Sequence, residues 1–286
     1  MRIAGAPISW GVCEVPGWGY QMTPDRVLKE MAEVGITATE FGPEGFLPAD
    51  PQAKAKTLAD YGLKAVGGFV PVVLHDPGHD PLPEVDRELD SFVAAGGDVL
   101  VLAANSGLDG YDTRPVLDDE GWATMFANLD RLAQLARSRG ITPSLHPHVG
   151  TMVETRDDVL RVLNGSSIPL CLDTGHLLIG GSDPVEIARQ WAARIAHVHA
   201  KDVNLALAKK VQAGELTYQQ AVAQGIYVPL GQGDVDFRTI VAKLDEAGFD
   251  GWYVMEQDAI LPAEPADEGP LGAVRQSIAY LKSLAA

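Results

Sequence analysis

The sequence predicts a single TIM (β/α)8 barrel. Three observations lead there. Apolar, strand-like runs alternate with amphipathic helical runs eight times along 286 residues, the arithmetic of a fold that takes about 250. The strand runs show little polar alternation, as parallel strands covered on both faces should. The turn after the first strand, "ISWGVCEVPGWG", lacks the glycine fingerprint of a doubly wound sheet.

Each unit can be justified in turn. "RIAGAPIS" is the first strand. After a long loop over 10–22 comes "TPDRVLKEMAEVG", with Thr23 as N-cap, Pro24 at the first helical position and Gly35 as the stop. "ITATEFG" is followed by "DPQAKAKTLADYG", and "LKAVGGFVPVV" by "LPEVDRELDSFVAAGG". "DVLVLAA" leads to "DEGWATMFANLDRLAQLARSRG", whose Trp122, Met125, Phe126, Leu129, Leu132 and Leu135 share one helical face. The second half repeats the rhythm: "ITPSLHPHV" with "TRDDVLRVLNG", "IPLCLDTG" with "DPVEIARQWAARI", "IAHVHAKDV" with "VDFRTIVAKLDEAGF", and "GWYVMEQD" with "GPLGAVRQSIAYLKSLAA". Residues 1–286 therefore read as one domain. Its one large irregularity is a helical insert at 203–233, which reads as a lid over the barrel mouth or as a contact with a second copy of the chain.

Composition narrows the function. A net charge of −17 with dispersed basic residues repels phosphate backbones, so nucleic acid is not an expected partner. No apolar run approaches the ~20 residues of a membrane span, and the amino terminus reads as a strand rather than a signal peptide. Two cysteines in apolar contexts suit a reducing, cytoplasmic setting.

The chemistry gathers at the ends of four successive strands, which a barrel brings to one mouth. The fifth ends "HPHVGTMVE", with His146, His148 and Glu154. The sixth ends at Asp173, with His176 three residues on. The seventh ends "HVHAKD", with His197, His199, Lys201 and Asp202, and the eighth "MEQD", with Glu256, Gln257 and Asp258. Buried charges need neutralising, and a divalent cation is the common solution. Glu154, Asp173, His199 and Glu256 form a set of three carboxylates and an imidazole. Such oxygen and nitrogen donors suit Mn²⁺ or Co²⁺ first, with Zn²⁺, Fe²⁺ and Mg²⁺ as other fits. Strand period two puts His197 on the side of His199 but one layer deeper. The fourth ligand stays open among Glu154, His146 and His148, since "ETRDD" also reads as charge at a helix start. His146, His148, His176 and Lys201 are the candidates for moving protons. Asp202 and Gln257 are candidates for binding substrate, Glu40 reads either as a buried acid behind the ligands or as a substrate partner, and Trp10 and Trp18 read either as core or as flat walls for a ring.

The segments "PISWGVCEVPGWGYQ", "HPHVGTMVET", "LDTGHLLIGGSDP", "HVHAKDV", "VPLGQGDVDF" and "GWYVMEQD" resemble the xylose-isomerase-like TIM-barrel superfamily of sugar isomerases, epimerases and dehydratases. Within it they are most similar to the inosose dehydratases of myo-inositol catabolism. The resemblance implies a metal set of Glu, Asp, His and Glu on strands five to eight, and a polyol or keto-sugar substrate. The implied reaction is loss of water from scyllo-inosose (2-keto-myo-inositol) through an enediolate, with isomerisation or epimerisation as the alternative outcome. Strand five departs from the pattern: "HPH" stands where the superfamily has its first Glu. An endonuclease IV type of phosphodiesterase would need more metals and a basic groove, and a non-catalytic sugar-binding barrel would need no metal ligands at all.

Overall fold

The computed structural model describes residues 1–285. Eight parallel strands close into a barrel: β1 (Arg2–Gly5), β2 (Ala38–Glu40), β3 (Lys64–Val73), β4 (Val99–Asn105), β5 (Thr142–Leu145), β6 (Leu170–Asp173), β7 (Ile195–Ala200) and β10 (Trp252–Met255). The ring is sealed where β1 pairs with β10, Arg2 opposite Trp252 and Gly5 opposite Met255. Around it lie α1 (Pro24–Glu33), α2 (Pro51–Asp60), α3 (Leu82–Ala95), α4 (Asp119–Ser138), α5 (Arg156–Gly165), α7 (Pro184–Trp191), α10 (Phe237–Glu246) and α11 (Leu271–Leu284). This is the predicted order, with the eighth predicted strand appearing as β10. The helix starts follow local chemistry: Asp50, Asp118 and Asp183 accept backbone N–H groups at their caps, and Thr155 with Asp158 forms a reciprocal capping box. Thr23 does precede Pro24, but its side chain makes no capping bond.

Two departures matter for the site. A short helix, α6 (Thr174–Ile179), follows β6 directly. The run "TGHLLI" conceals it, because six residues are too few for a helical period to declare itself. The insert is a pair of helices, α8 (Leu205–Gln212) and α9 (Tyr218–Ala223), mounted on an antiparallel ribbon of β8 (Asp202–Val203) and β9 (Tyr227–Val228). Its apolar face is buried within the chain. Val203, Ala208, Tyr218, Ala221, Val222, Ile226 and Tyr227 form a second apolar cluster with Trp18, Val149 and Ile179, beside the main core between barrel and helices. Withdrawing that face from water is the main driving force that holds the insert against the barrel. No helix among the described residues is long and apolar enough to cross a membrane. Cys13 and Cys171 are free thiols.

Candidate metal centre and active-site cleft

The C-terminal ends of the strands open into a cleft of about 630 Å³. Its floor carries Glu40, His146, His199, Lys201, Glu256 and Asp258, and its walls include Ile8, Trp18, Phe69, Tyr111, His148 and Tyr218. Register explains the floor. Asp173 lies opposite His199 across β6 and β7, which puts acid and imidazole at one level, and Val254 lies opposite His199 across β7 and β10, which puts Glu256 two residues further towards the mouth.

Asp173 serves two ends. Its Oδ1 accepts the backbone N–H groups of Gly175 (2.9 Å) and His176 (2.7 Å), capping α6. Its Oδ2 is left for the cleft, 3.0 Å from His146 Nε2 and 3.5 Å from both His199 Nδ1 and Lys201 Nζ. His199 is oriented from behind. Its Nε2 donates to Glu40 Oε1 at 2.9 Å, and the same oxygen accepts from His197 Nε2 at 2.8 Å. Burial opposes a charge on Glu40, yet His199 and His197 outweigh it and keep the carboxylate ionised. With Nε2 so used, the Nδ1 of His199 faces Glu256 Oε2 at 3.2 Å and Asp173 Oδ2 at 3.5 Å, without hydrogen-bond geometry to either. A neutral imidazole there aims a lone pair at two carboxylate oxygens, a repulsion that either a proton on Nδ1 or a metal ion between them relieves. A histidine whose second nitrogen is held by a carboxylate is also how metal-ligating imidazoles are oriented.

The balance of charges agrees. Glu40, Asp173, Glu256 and Asp258 are all buried around the cleft floor, and Lys201 is the one buried lysine among them. Burial pushes the Glu256 carboxyl upward. It also works against charge on Asp173, where Lys201 and His176 outweigh it and hold the carboxyl well below the usual range. Asp173, His199 and Glu256 bring ligand atoms within 4.8 Å of one another, as do His146, Asp173 and His176. The donor set and the unpartnered Nδ1 of His199 fit a divalent metal ion.

Beside this set lies a network of hydrogen-bonding groups. Lys201 Nζ is 2.9 Å from Asp258 Oδ1 and 3.1 Å from Glu256 Oε2, and it donates to His176 Nε2 at 3.1 Å. Thr174 fixes the base of that lysine, accepting from its backbone N–H and donating to its carbonyl. His148 stacks on His176 with ring centres 3.7 Å apart and on Tyr111 at 4.3 Å. Its Nδ1 donates to the Val149 carbonyl at 2.7 Å, which leaves Nε2 with the lone pair. Burial, with His146 and Lys201 nearby, holds His148 neutral well below the ordinary imidazole range.

Residues 28–284 match the family described as xylose isomerase-like TIM barrel. The chain belongs to the xylose isomerase-like TIM barrel family. Among curated relatives of this barrel is the inosose dehydratase of Geobacillus kaustophilus, 32% identical over 301 residues, covering 99% of this chain and 94% of the relative. The rhizopine catabolism protein MocC of Rhizobium meliloti is 32% identical over 267 residues, covering 90% and 82%. Solved structures share the fold at lower identity. The IOLI protein with a binding zinc atom superposes with a TM-score of 0.71 at 16% identity over 99% of this chain and 98% of that one. An L-ribulose 3-epimerase gives 0.69 at 18% identity over 99% and 94%.

Within this xylose isomerase-like barrel, four expected site residues lie elsewhere. Glu154 does not reach the metal set. Its Oε2 accepts from the Gly150 N–H (2.8 Å) and pairs with Arg114 (3.2 Å), a cation that also holds Asp158. Trp10 is core, fully buried with its indole N–H donated to Glu30 at 2.8 Å. Asp202 gathers the backbone N–H groups of Val203, Gly231, Gly233 and Val235, so it folds the loop behind the insert. A Cβ on Gly233 would sit 2.3 Å from Asp202 Oδ1, so the cradle needs glycine there. Gln257 turns its amide towards the Tyr227 carbonyl (3.5 Å) and does not line the cleft. Trp18 does line it, tilted against Tyr218 at 6.3 Å. His146, His148, His176 and Lys201 come together at the cleft, and Glu40 joins them as the acid that holds His199 and His197. Sequence reasoning misses Tyr111, Tyr218 and Tyr227: the first lies in a loop, and the others in α9 and β9, elements too short for periodicity to reveal. Asp258 stands in the same "MEQD" as Glu256, and only its contact with Lys201 gives it a role.

Proposed function

We propose that this barrel removes water from a keto-inositol, scyllo-inosose, to give a trihydroxycyclohexane dione, and that Asp173, His199, Glu256 and His146 hold the divalent metal. The observation that carries the reading is His199, fixed by Glu40 on one nitrogen and facing two carboxylates with the other. The naming of full-length relatives as inosose dehydratases supports the choice of substrate. His146 takes the fourth place, because Glu154 is spent on Arg114 and His146 Nε2 already lies 3.0 Å from Asp173. Two imidazoles and two carboxylates suit Mn²⁺ or Co²⁺, with Zn²⁺ and Fe²⁺ close behind and Mg²⁺ the poorest match to nitrogen donors.

When bound, the metal supplies Lewis acidity to the ketone oxygen and so acidifies the neighbouring C–H. His148 takes that proton: its tautomer is set by Val149, burial keeps it neutral, and it lines the cleft. The electron pair passes into the enediolate and then expels the β-hydroxyl. The Lys201 ammonium donates to that hydroxyl, which leaves as water. The proton count closes: His148 gains the substrate's α-proton, Lys201 loses one to the departing water, and the enzyme's total is unchanged. His176, stacked on His148 and bonded to Lys201, lies where the two are reset. The insert over 203–233 acts as a lid within this single domain, its Tyr218, together with Trp18 of the first loop, excluding water from the enediolate.

Isomerases and epimerases share the first proton abstraction and differ in where the proton returns, so epimerisation is the second reading, favoured by the fold's epimerase neighbours. Deuterated solvent separates the steps. His148→Ala should keep its metal and lose exchange of the substrate's α-proton, while Lys201→Ala should keep exchange and lose dehydration. Loss of metal in His148→Ala would make that histidine a ligand and refute its role as base.

A further inference from the structure

Tyr218 belongs to the insert, yet its hydroxyl ends inside the hydrogen-bond network of the cleft. It donates to Asp258 Oδ2 at 2.9 Å and lies 3.1 Å from the Tyr227 hydroxyl. The other carboxylate oxygen of Asp258 is 2.9 Å from Lys201 Nζ. All three side chains are buried. The chain Tyr218–Asp258–Lys201 therefore links an element outside the barrel ring to the end of β7.

Covering a cleft needs only the ring. Trp18 and the apolar residues of α9 already pack there. The hydroxyl is an extra cost in such a place, because a buried phenol must find a partner. Asp258 also needs it. Lys201 is shared with Glu256 at 3.1 Å and Asp173 at 3.5 Å, so without Tyr218 the Asp258 carboxylate would hold a contested ammonium and nothing else at hydrogen-bond distance. A flexible lysine with three acidic neighbours has several places to point. An anchored Asp258 selects one of them.

We propose that Tyr218 is a positioning residue for the water-loss step: its hydroxyl anchors Asp258, which holds the Lys201 ammonium towards the leaving hydroxyl. The inference rests on the dehydration reading. No bond of Tyr218 is made or broken in the step. The C–O bond breaks, the departing oxygen takes its proton from Lys201, and Tyr218 keeps its own. It follows that the Tyr218 hydroxyl tunes the second half of the reaction and leaves proton abstraction by His148 alone. A lid that merely excluded water would act on both halves together.

The test uses the whole metal-loaded protein and scyllo-inosose in deuterated solvent, following α-deuteration and dione formation side by side. Tyr218→Phe keeps the ring and removes only the hydroxyl. We expect dehydration to fall about 10- to 100-fold, the scale of a lost hydrogen bond to a charged group. Deuteration, KM and metal content should stay within a few-fold of the parent enzyme. Tyr218→Ala, which opens the lid as well, should lower both rates. Equal losses of deuteration and dehydration in Tyr218→Phe, or no loss of either, would overturn the inference. A parent enzyme that leaves scyllo-inosose untouched would overturn the dehydration reading and this inference with it, whereas an active parent with an unmoved ratio overturns the inference alone.

Discussion

Asp173 shows how one residue can be both structural and chemical. One oxygen caps α6 and the other faces the cleft. The two roles separate by substitution. Asp173→Asn keeps a good cap and loses the charge, so it should lose metal with little change in denaturant midpoint. Asp173→Ala should lose metal and a further ~1–2 kcal/mol of stability, the usual worth of a cap. His146 and Glu154 give a second contrast, read by metal titration. His146→Ala should weaken metal binding by more than the roughly 10- to 100-fold typical of losing an outer partner, and Glu154→Ala should leave it unchanged. At this scale the sequence is informative wherever a strand end fixes a side chain, as at Asp173, His199 and Glu256. It misleads where a loop intervenes. Glu154 lies beyond a turn at Gly150, where Tyr111 crowds so closely that a Cβ would meet its carbonyl at 2.3 Å. Which way the chain leaves that turn depends on Arg114, far away in sequence. Trp10 misleads for the opposite reason: a Trp in a glycine-rich loop reads as a wall, but Glu30 on α1 draws its indole into the core.

The insert is the element that sequence resolves least. Its length and place after β7 mark it, but the ribbon beneath it consists of two-residue strands, too short to show alternation. Asp202 is the peg on which it turns. Asp202→Ala would strand four backbone N–H groups, most of them in buried or half-buried loop, and should cost about 2–4 kcal/mol in chemical denaturation. Turnover should fall with it, because the same loop carries Tyr227 towards the cleft. Metal content should hold, since Asp202 contacts none of the metal set. Barrel strands such as β4, β6 and β10 are legible by contrast because they are continuous apolar runs, and α4 because twenty residues give its apolar face five turns to repeat.

For the molecule as a whole, the separation of core from mouth predicts how metal and stability are linked. The apolar core lies between barrel and helices, and the acids and imidazoles lie above it. Chelation should therefore abolish activity without unfolding the chain. Saturating metal should raise stability by mass action, about 2.7 kcal/mol at a hundredfold excess over Kd, and Asp173→Asn should show no such gain. The fold is readable because eight repeats of one pattern leave few alternatives, and the site because that fold gathers strand ends at one rim. The reaction is not readable at that scale: proton abstraction beside a ketone is common to dehydratase, isomerase and epimerase. The deciding measurement is proton NMR of scyllo-inosose incubated with the metal-loaded protein in deuterated water. A metal-dependent dehydratase should place deuterium at the α-carbon and accumulate the dione, both lost on chelation and restored by added metal. Scyllo-inosose left intact, with a ketose epimerised by the same loaded protein, would contradict that assignment.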